Sequence, residues 1–530
     1  MMHTLLPFFL MMVLLIVMLT IWANKLKIAY PILLVLAGLG ISFIPKLPVI
    51  SIDPDLIFFI FLPPLLFEAS WTISFKEMKK WWRIIGSFAF LVVFFTAFLV
   101  AIVANKYIPG FSIALGFVLG GIVSPPDAVS TGAITKFVKI PKSTSAILEG
   151  ESLLNDASSL IILRFALVAV GSGQIIWHEA ALDFLWMLFG GVGIGLIIAF
   201  IFMKIHKKWS TDASSDTALT LIAPYFMYWL AEQVHCSGVL AVVSGGLLMS
   251  WQRLSFLSSS SRINGYSVWQ SFVFILNGIV FLIIGLELPE IVTGIRANGI
   301  PLSTAIGYGV LVTVVLIGAR IVSSYIAMLS TILFRRNLAR NMNLSRRSWL
   351  TPLALGWTGM RGVVSLAAAL SVPLTLNEAP FPHRNLILFI TFVAILLTLV
   401  IQGLTLPYVI NKLNPFRNFS AAEAKHAETQ LQIKKGLKQH VYNHIKIKYE
   451  NDEKWIGHIG MQKVLKHWED QTNTQDIRWM DENIKIVLLE MFELQRQYLS
   501  DLNKDPEIDE ELIRNQIYQI DLEEERIRYV

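Results

Sequence analysis

The stretch GFVLGGIVSPPDAVSTGAI, residues 116–134, combines an apolar sequence with residues that interrupt a helix. A glycine pair precedes Pro125 and Pro126, and Asp127 follows at once. Proline removes a helical hydrogen bond and clashes with the preceding turn. A charge at membrane depth costs about 2.5–3.5 kcal/mol even on a lenient insertion scale. The stretch therefore predicts a membrane helix that is broken near its middle, with a carboxyl group at the break.

The surrounding chain is too apolar for an ordinary soluble protein. Of its 530 residues, 55% are hydrophobic and only 15% are charged, and a membrane-crossing helix needs about 20 mostly apolar residues. The sequence predicts thirteen such segments, at residues 4–22, 28–44, 55–73, 84–104, 109–134, 144–170, 181–203, 216–233, 235–252, 266–288, 303–333, 350–374 and 385–410. The predicted fold class is all-α, with a polytopic membrane domain over 1–411 and a helical soluble tail over 412–530.

The basic residues alternate between the loops that join these segments. The odd-numbered loops carry 19 lysines and arginines, whereas the even-numbered loops carry only four. Because cytoplasmic loops are enriched in basic residues, we expect the odd loops and the tail in the cytoplasm and the N-terminus outside. Only Arg164, Arg320 and Arg361 lie within predicted segments. Charged residues inside spans are candidates for function.

Other features narrow the class of protein. The first segment lacks the basic n-region of a secretory signal, so we expect it to remain as a membrane span. The single cysteine, Cys236, excludes an intrachain disulfide framework and a cysteine-based zinc site. The excess of positive charge lies in the membrane region, which holds 26 lysines and arginines and 16 acidic residues, so it reports orientation and gives little support to nucleic-acid binding.

A second interrupted segment reads LALGWTGMRGVVSLAAAL, residues 353–370, with three glycines around Arg361. The two interrupted segments are the fifth and the twelfth, so they cross the membrane in opposite directions. This pattern is typical of an inverted repeat, here about 1–170 against 216–411 with 181–203 as a linker helix.

Such paired broken helices indicate a binding site near the membrane midplane. Asp127 is placed to neutralise the N-terminal ends of the half-helices, and Arg361 could face their carbonyl ends. Glycine also serves close helix packing, and proline kinks occur without function. The matched pair, with an ionisable residue at each break, favours the functional interpretation.

The sixth segment contains LEGESLLNDASSLIILRF, residues 148–165. Ser152 and Asp156 are four residues apart and share one helix face, and Glu151 and Asn155 share another. A carboxylate attracts a small hard cation, whereas burial favours the protonated carboxyl group. Proton and cation are therefore expected to compete for Asp156. Alternatively, these polar groups only join helices, which is most plausible for Ser152 and Asn155.

The remaining charges of the predicted spans have less distinctive positions. Glu149 lies near the cytoplasmic entrance, and Arg164 can extend its side chain towards the outer surface. Glu287 is expected to face water at a helix end. Glu68 is either an acidic residue of the cytoplasmic vestibule or one half of a structural pair.

Four motifs, in this order and spacing, resemble the sodium/proton exchanger family of monovalent cation:proton antiporters, in its bacterial type with an Asn-Asp pair. The motifs are LPPLLFEAS (62–70), SPPDAV (124–129), GESLLNDA (150–157) and GMRGVVSLA (359–367).

The resemblance implies a role for each matching residue of the sixth segment. Asp156 matches the family's cation- and proton-binding aspartate, and Asn155 matches its supporting neighbour. Ser152 matches a further position of the ion site. Glu151 matches a glutamate that pairs with an arginine of a later helix, and Arg320 looks like that partner.

The resemblance also extends to the broken helices. Arg361 matches the arginine at their crossing, and Glu68 matches an acidic residue near the cytoplasmic funnel. Many bacterial members read Thr-Asp-Pro where this chain has Pro126, Asp127 and alanine. A hydroxyl ligand at that position would therefore be replaced by a backbone carbonyl or by Ser130.

The predicted function is secondary active antiport of Na⁺, and also Li⁺, for H⁺, with K⁺/H⁺ antiport as the alternative. The resemblance implies elevator-like alternating access, a homodimer and, from the Asn-Asp form, electroneutral one-for-one exchange. The expected partners are these ions, membrane lipids and a second copy, without a cofactor or nucleic acid. The expected location is the cell membrane (plasma or inner), with a role in pH homeostasis.

Two other functional classes are weighed against antiport. An ion channel or sensor could use the same buried charges, but the inverted broken helices argue against it. An intramembrane hydrolase is disfavoured because His178 and His235 fall at span ends without a clear serine–histidine site.

The tail shows apolar residues at helical spacing, including Val487, Leu488 and Met491. Its first part is basic and either lies on the anionic inner leaflet or is a solvated helical face. Its acidic end, DLEEERIRYV, is expected to pack against a partner tail.

Overall fold

The computed structural model describes residues 2–44, 54–135, 138, 140–173, 177–209, 212–297, 299–334, 348–376, 379–413, 419–449, 482–505 and 508–528. The basic loop residues predicted at Lys46, Lys136, Lys139 and 335–347 lie outside this part of the chain. The described chain is almost entirely helical and forms two compact units. The first comprises residues 1–208, 219–253 and 269–416, and the second comprises 209–218, 254–268 and 417–530.

The first unit contains the apolar helices. Among the described residues, eight helical segments are long and apolar enough to cross a membrane, and three shorter apolar helices accompany them. The helices are α1 (Met2–Leu26), α2 (Tyr30–Ser42), α3 (Pro54–Thr72), α4 (Phe75–Gly86), α5 (Val93–Tyr107), α6 (Ile113–Val123), α7 (Ala128–Thr135), α8 (Lys142–Ser172), α9 (Trp177–Trp209), α10 (Ala213–Gln233), α11 (Gly238–Phe256), α12 (Ser259–Leu286), α13 (Leu288–Ala297), α14 (Leu302–Phe334), α15 (Thr351–Trp357), α16 (Val363–Leu370), α17 (Arg384–Leu397) and α18 (Gly403–Leu413). The chain is therefore a polytopic helical membrane protein.

Both predicted helix interruptions are present. The chain leaves helical geometry between the end of α6 at Val123 and the start of α7 at Ala128, where the two prolines lie. It does so again between the end of α15 at Trp357 and the start of α16 at Val363, in the glycine-rich stretch. Each predicted segment is thus divided into two half-helices.

The third predicted loop is helical, which differs from the expectation. Its basic residues lie on α4, and α4 continues through the π-helical stretch Ser87–Val92 into α5. Ser74 caps α4 by accepting a hydrogen bond from the backbone N–H of Glu77 at 3.2 Å. Trp81 Nε1 donates to the Glu77 carboxylate at 2.9 Å. A capped, amphipathic first turn allows the helix to begin before the apolar segment does.

Small residues bring α5 and α6 into close contact. A Cβ atom on Gly120 would lie 2.5 Å from the carbonyl oxygen of Ala97, and one on Gly116 would lie 2.6 Å from that of Ala101. Residues without large side chains let membrane helices approach backbone to backbone. This contact sets α6 in place and with it the break at Pro125.

One small element departs from the all-α prediction. Strand β1 (Thr375–Leu376) pairs antiparallel with β2 (Ala379–Pro380), with Thr375 opposite Pro380. This two-residue pairing lies in the connection that precedes α17.

The second unit contains the tail helices α19 (Phe419–Tyr449), α20 (Glu482–Leu502) and α21 (Glu510–Arg528). Its apolar core includes Ile433, Phe492, Leu499 and Ile517, and Leu254 packs against this core. The unit therefore includes two stretches, 209–218 and 254–268, that precede the predicted tail in sequence.

The acidic end of the tail forms ion pairs within its own unit. Asp521 accepts a hydrogen bond from Arg262 Nε at 2.7 Å and one from Arg496 Nη2 at 3.0 Å. Glu524 accepts from Ser259 Oγ at 2.7 Å and also pairs with Arg496. The two arginines therefore balance charge at the acidic end, and its packing against a partner tail stays a prediction.

Candidate ion-binding site

The crossing of the broken helices is built from backbone and side-chain hydrogen bonds. The Asp127 N–H donates to the carbonyl oxygen of Met360 at 2.7 Å. Thr131 Oγ1 donates to the carbonyl oxygen of Thr358 at 3.1 Å, and the Arg361 N–H donates to Thr398 Oγ1 at 3.1 Å. The two breaks therefore lie directly against each other.

Asp127 lies at two N-terminal helix ends. Its carboxylate accepts hydrogen bonds from the N–H groups of Val129 and Ser130 at the start of α7, at 3.1 and 3.2 Å. Ser130 Oγ donates to the same carboxylate at 2.5 Å. A Cβ atom on Gly362, which precedes α16, would overlap this carboxylate. A negative charge there complements the positive ends of both α7 and α16.

Arg361 has the complementary position at the carbonyl ends. Its Nε donates to the carbonyl oxygen of Val123 at 2.9 Å, and its Nη2 donates to that of Ser124 at 3.4 Å. Its Nη1 donates to the carbonyl oxygen of Gly359, just after α15. The side chain is only 1% exposed. The guanidinium thus satisfies carbonyl groups that the helix breaks leave without partners.

Glu151 and Arg320 form a two-point ion pair between α8 and α14. Arg320 Nη1 lies 2.6 Å from Glu151 Oε1, and Nη2 lies 2.9 Å from Oε2. Both side chains are buried, at 3% exposure for Arg320 and 1% for Glu151. A Cβ atom on Gly359 would overlap the Arg320 side chain, so this glycine leaves the space that the arginine occupies.

Asp156 is buried one turn further along α8 and has different surroundings. It is 6% exposed, and no described residue donates a hydrogen bond to its carboxylate or forms an ion pair with it. Asn155 beside it donates from Nδ2 to the carbonyl oxygen of Pro126 at 3.1 Å. Asn155 Oδ1 and Ser124 Oγ are buried, and within the described chain they have no hydrogen-bond partner.

A cavity of about 30 Å³ approaches this region from the first turns of α8. Its lining includes Ser152, Glu149, Glu151, Asp127 and Arg320. A space of this size holds one or two water molecules. Asp156 is not among its described lining residues, but Ser152 lies one turn away on the same helix face.

The two groups predicted to replace a hydroxyl ligand at position 126 both form hydrogen bonds with other residues. The carbonyl oxygen of Pro126 accepts from Asn155, and Ser130 Oγ donates to Asp127. Glu68 is half-buried on α3 and is not among the described lining residues of the cavity. The structure therefore groups Ser152, Glu151, Arg320 and the helix crossing around one cavity, and leaves Glu68 outside its lining.

Sequence reasoning missed several partners at this site. Thr131, Thr358 and Thr398 join the crossing, and Ser159 Oγ donates to the carbonyl oxygen of Gly121 at 2.6 Å. Hydroxyl residues on apolar helices are a weak signal, because most of them bond within their own helix. Arg164, whose side chain is expected to extend towards the outer surface, also forms an ion pair with Glu232.

These features define a class of protein. Two broken helices that cross beside a buried carboxylate, within a polytopic helical chain, are typical of secondary active transporters.

Comparisons with known proteins identify the family. The family model described as sodium/hydrogen exchanger, transmembrane, matches residues 11–412. An uncharacterised Na⁺/H⁺ exchanger of Mycobacterium tuberculosis is 29% identical over 95% of this chain and 93% of its own length. The Na⁺/H⁺ antiporter ApNhaP of Aphanothece halophytica is 30% identical over 73% of this chain and 70% of its own. The chain belongs to the sodium/hydrogen exchanger family, whose members are cation:proton antiporters and not enzymes.

Two further relatives extend the comparison. A sodium, potassium, lithium and rubidium/H⁺ antiporter of Bacillus subtilis is 31% identical over 72% of this chain and 57% of its own length. The structure of the sodium proton antiporter MjNhaP1 from Methanocaldococcus jannaschii superposes with a TM-score of 0.58 at 20% identity. That match covers 75% of this chain and 98% of the other, so the two chains share a fold over three quarters of this one.

Proposed function

We propose that this protein exchanges Na⁺ for H⁺ across the cell membrane, one for one, and that both ions bind in turn to Asp156. The observation that carries the proposal is the contrast between two buried carboxylates on α8. Glu151 has its charge balanced by Arg320, whereas no described residue donates a hydrogen bond or a positive charge to Asp156. A buried carboxylate without such a partner is the kind of group at which a proton and a cation compete.

The neighbouring oxygen atoms support a cation ligand set. Asn155 Oδ1 and Ser124 Oγ are buried without a hydrogen-bond partner in the described chain, although buried polar atoms are nearly always hydrogen-bonded. A small hard cation prefers oxygen ligands. We assign these two atoms, with Ser152 on the cavity side, as candidates to complete the coordination of Na⁺ around Asp156.

The other residues of the site support the exchange without binding the transported ion. Glu151 and Arg320 hold α8 against α14, and Asp127 and Arg361 stabilise the ends of the broken helices. Glu68 is proposed to line the cytoplasmic funnel. Exchange follows an elevator-like alternating-access cycle in a homodimer, with the N-terminus outside and the tail in the cytoplasm. Such exchange would serve pH homeostasis.

Potassium is the alternative cation. The name of the Bacillus subtilis relative includes sodium, potassium, lithium and rubidium, so members of similar sequence accept ions of different radius. Li⁺ is expected to share the Na⁺ site, and a K⁺/H⁺ exchanger would use the same Asp156.

The test is proton movement into proteoliposomes, followed with a lumenal pH dye, with Na⁺, Li⁺ and K⁺ gradients in parallel. We expect Na⁺-dependent proton movement that is unchanged when the membrane voltage is clamped. Asp156→Asn should reduce transport to the background of empty liposomes. Asp183→Asn, at an exposed position on α9, is the matched control and should retain wild-type transport.

Three results would count against the proposal. Wild-type liposomes that move no protons with any of the three cations would exclude antiport. Full transport by Asp156→Asn would exclude the role of that residue. Currents that exceed the turnover of any carrier would instead indicate a channel.

A further inference from the structure

An ion pair joins α8 to the corner between α10 and α11, on the far side of Asp156 from the cavity. Arg164 Nη2 contacts Glu232 Oε2, and the side chains are 39% and 29% exposed. Arg164 follows Asp156 by eight residues, which is about 12 Å along a helix. The cavity at Ser152 and the ion pair therefore lie towards opposite ends of α8, with Asp156 between them.

Helix α8 is packed firmly against the helices that precede it. Ser159 Oγ donates to the carbonyl oxygen of Gly121 in α6 at 2.6 Å. A Cβ atom on Gly121 would lie 3.0 Å from the backbone nitrogen of Leu163, and one on Gly150 would lie 2.8 Å from Ile85 of α4. Contacts this close leave little room for sliding. We call α4 to α8 the site bundle, since it carries Asp156.

The corner between α10 and α11 is fastened to α9. The Ser237 N–H donates to the carbonyl oxygen of Met187 at 3.2 Å, and Trp186 Nε1 donates to that of Val234 at 3.2 Å. Glu232 is held within this corner, because its Oε1 accepts from the Gly238 N–H at 3.2 Å. We call this assembly of the corner with α9 the outer corner. Glu232 is thus a fixed part of the outer corner, and Arg164 is the long side chain that reaches it.

We propose that the Arg164–Glu232 pair is a latch that closes the side of Asp156 remote from the cavity, and that it separates in each transport cycle. The proposal rests on the alternating access proposed above. If Asp156 is to reach the other side of the membrane, the packing beyond it must open, and the pair joins the site bundle to the outer corner across that packing. Arg164 and Glu232 are positioning residues, since neither is placed at the transported ion.

Because the ion pair is partly exposed, it shifts the equilibrium between the two access conformations without preventing their exchange. A partly exposed ion pair changes an equilibrium constant by about two- to fivefold. A bond of that strength can hold one conformation and still break at transport rates. Removing it should raise the ratio of molecules open on the Arg164 side to molecules open on the cavity side by about two- to fivefold.

The first test measures the apparent Na⁺ affinity from each side of uniformly oriented proteoliposomes. Arg164→Gln should raise the affinity on the Arg164 side and lower it on the cavity side, so that the ratio of the two affinities changes by about two- to fivefold. Arg164→Lys keeps the charge pair and should retain the wild-type ratio of the two affinities. Equal changes on both sides, or none, would overturn the proposal, because a merely structural pair does not distinguish the two sides.

The second test asks whether the pair must separate. Arg164→Cys and Glu232→Cys are combined with Cys236→Ala and joined by a reducible bifunctional thiol cross-linker. Cross-linking should reduce Na⁺-driven proton movement to background, and reduction should restore it. The matched control joins Trp186→Cys to Val234→Cys, both within the outer corner, and should leave transport intact.

The outcomes separate this proposal from the proposed function. Fully cross-linked protein that transports at the rate of the uncross-linked protein would show that the pair stays closed, and would refute the latch while leaving antiport intact. A wild-type protein that moves no protons would refute antiport, and the latch with it.

Discussion

At the level of single residues, two carboxylates on helix α8 have different surroundings. Glu151 accepts two hydrogen bonds from Arg320, so the buried pair is net neutral. Asp156 lies five positions later and receives no hydrogen bond from the described residues. Two buried carboxylates on one helix therefore differ in whether the fold brings a positive charge to them.

Removing the charge of Glu151 should destabilise the protein strongly. Glu151→Gln leaves Arg320 buried without its counterion, which costs about 3–5 kcal/mol. We expect a large fall in the melting temperature of the detergent-solubilised protein, measured by intrinsic fluorescence. Asp501→Asn breaks an ion pair whose side chains are more than 70% exposed, and should cost less than about 1 kcal/mol. Similar losses in both variants would contradict the structural role of the Glu151 pair.

At the scale of the elements, the broken helices depend on a close helix contact. The break in α6–α7 has its hydrogen bonds completed by Asp127 and Arg361, and α6 is positioned by its contact with α5. Gly120 lies where any side chain would meet the backbone of Ala97. Gly120 therefore supports the site indirectly, because it allows the position of α6, the half-helix that ends at the break.

Gly120→Ala should separate α5 from α6. Its Cβ atom would lie 2.5 Å from the Ala97 carbonyl oxygen, and backbone atoms cannot move aside as a side chain does. Overpacking of this kind costs about 1–3 kcal/mol, so we expect reduced thermal stability together with a lower transport rate. Gly193→Ala in α9 is the control, because its Cβ atom would have no neighbour within 4 Å. Unchanged thermal stability and transport rate in Gly120→Ala would contradict the close contact between α5 and α6.

At the scale of the whole molecule, the tail helices share a unit with two earlier stretches of the chain. Arg262 and Arg496 both pair with Asp521 in that unit, and Arg496 also pairs with Glu524. The Asp521 side chain is only 2% exposed. Burial raises the pKa of Glu524, but hydrogen bonds donated by Ser259, Arg496 and Arg528 outweigh it, so that its pKa lies below the ordinary value. The folded unit therefore favours the ionised form of this carboxyl group.

The sign of this shift predicts how the tail responds to acid. A carboxyl group whose pKa is lowered by folding stabilises the folded state at any pH above its pKa in the unfolded chain, which is about 4.3. This stabilisation is lost as the pH falls through the lower pKa of the folded state. We expect the hydrogen-exchange protection of α21 in the full-length protein, corrected for the intrinsic rate, to be constant from about pH 7 to 5 and to fall below about pH 4. Protection that falls between pH 7 and 6 would show that another group controls the unit. Glu524→Gln should remove the acid-dependent step.

The sequence already indicated the membrane class, the two helix breaks and most of the charged residues that the structure brings near the crossing. These features are local, because apolar length, proline and glycine act on the chain where they stand, and a charge within an apolar segment is visible without a fold. The resemblance of four motifs added the Glu151–Arg320 pair, which the structure contains, and the proposed role of Asp156. At α4 the sequence predicts a loop, whereas the structure contains a capped amphipathic helix.

Only the tertiary structure decided which charges meet. Asp127 lies at Gly362 because α7 crosses α16, Arg164 meets Glu232 across 68 residues of sequence, and Arg262 meets Asp521 across 259. Opposite charges attract without directional specificity, so a sequence with many charges permits many pairings. Helix packing selects among them, since it brings particular side chains within hydrogen-bond distance and holds the rest apart.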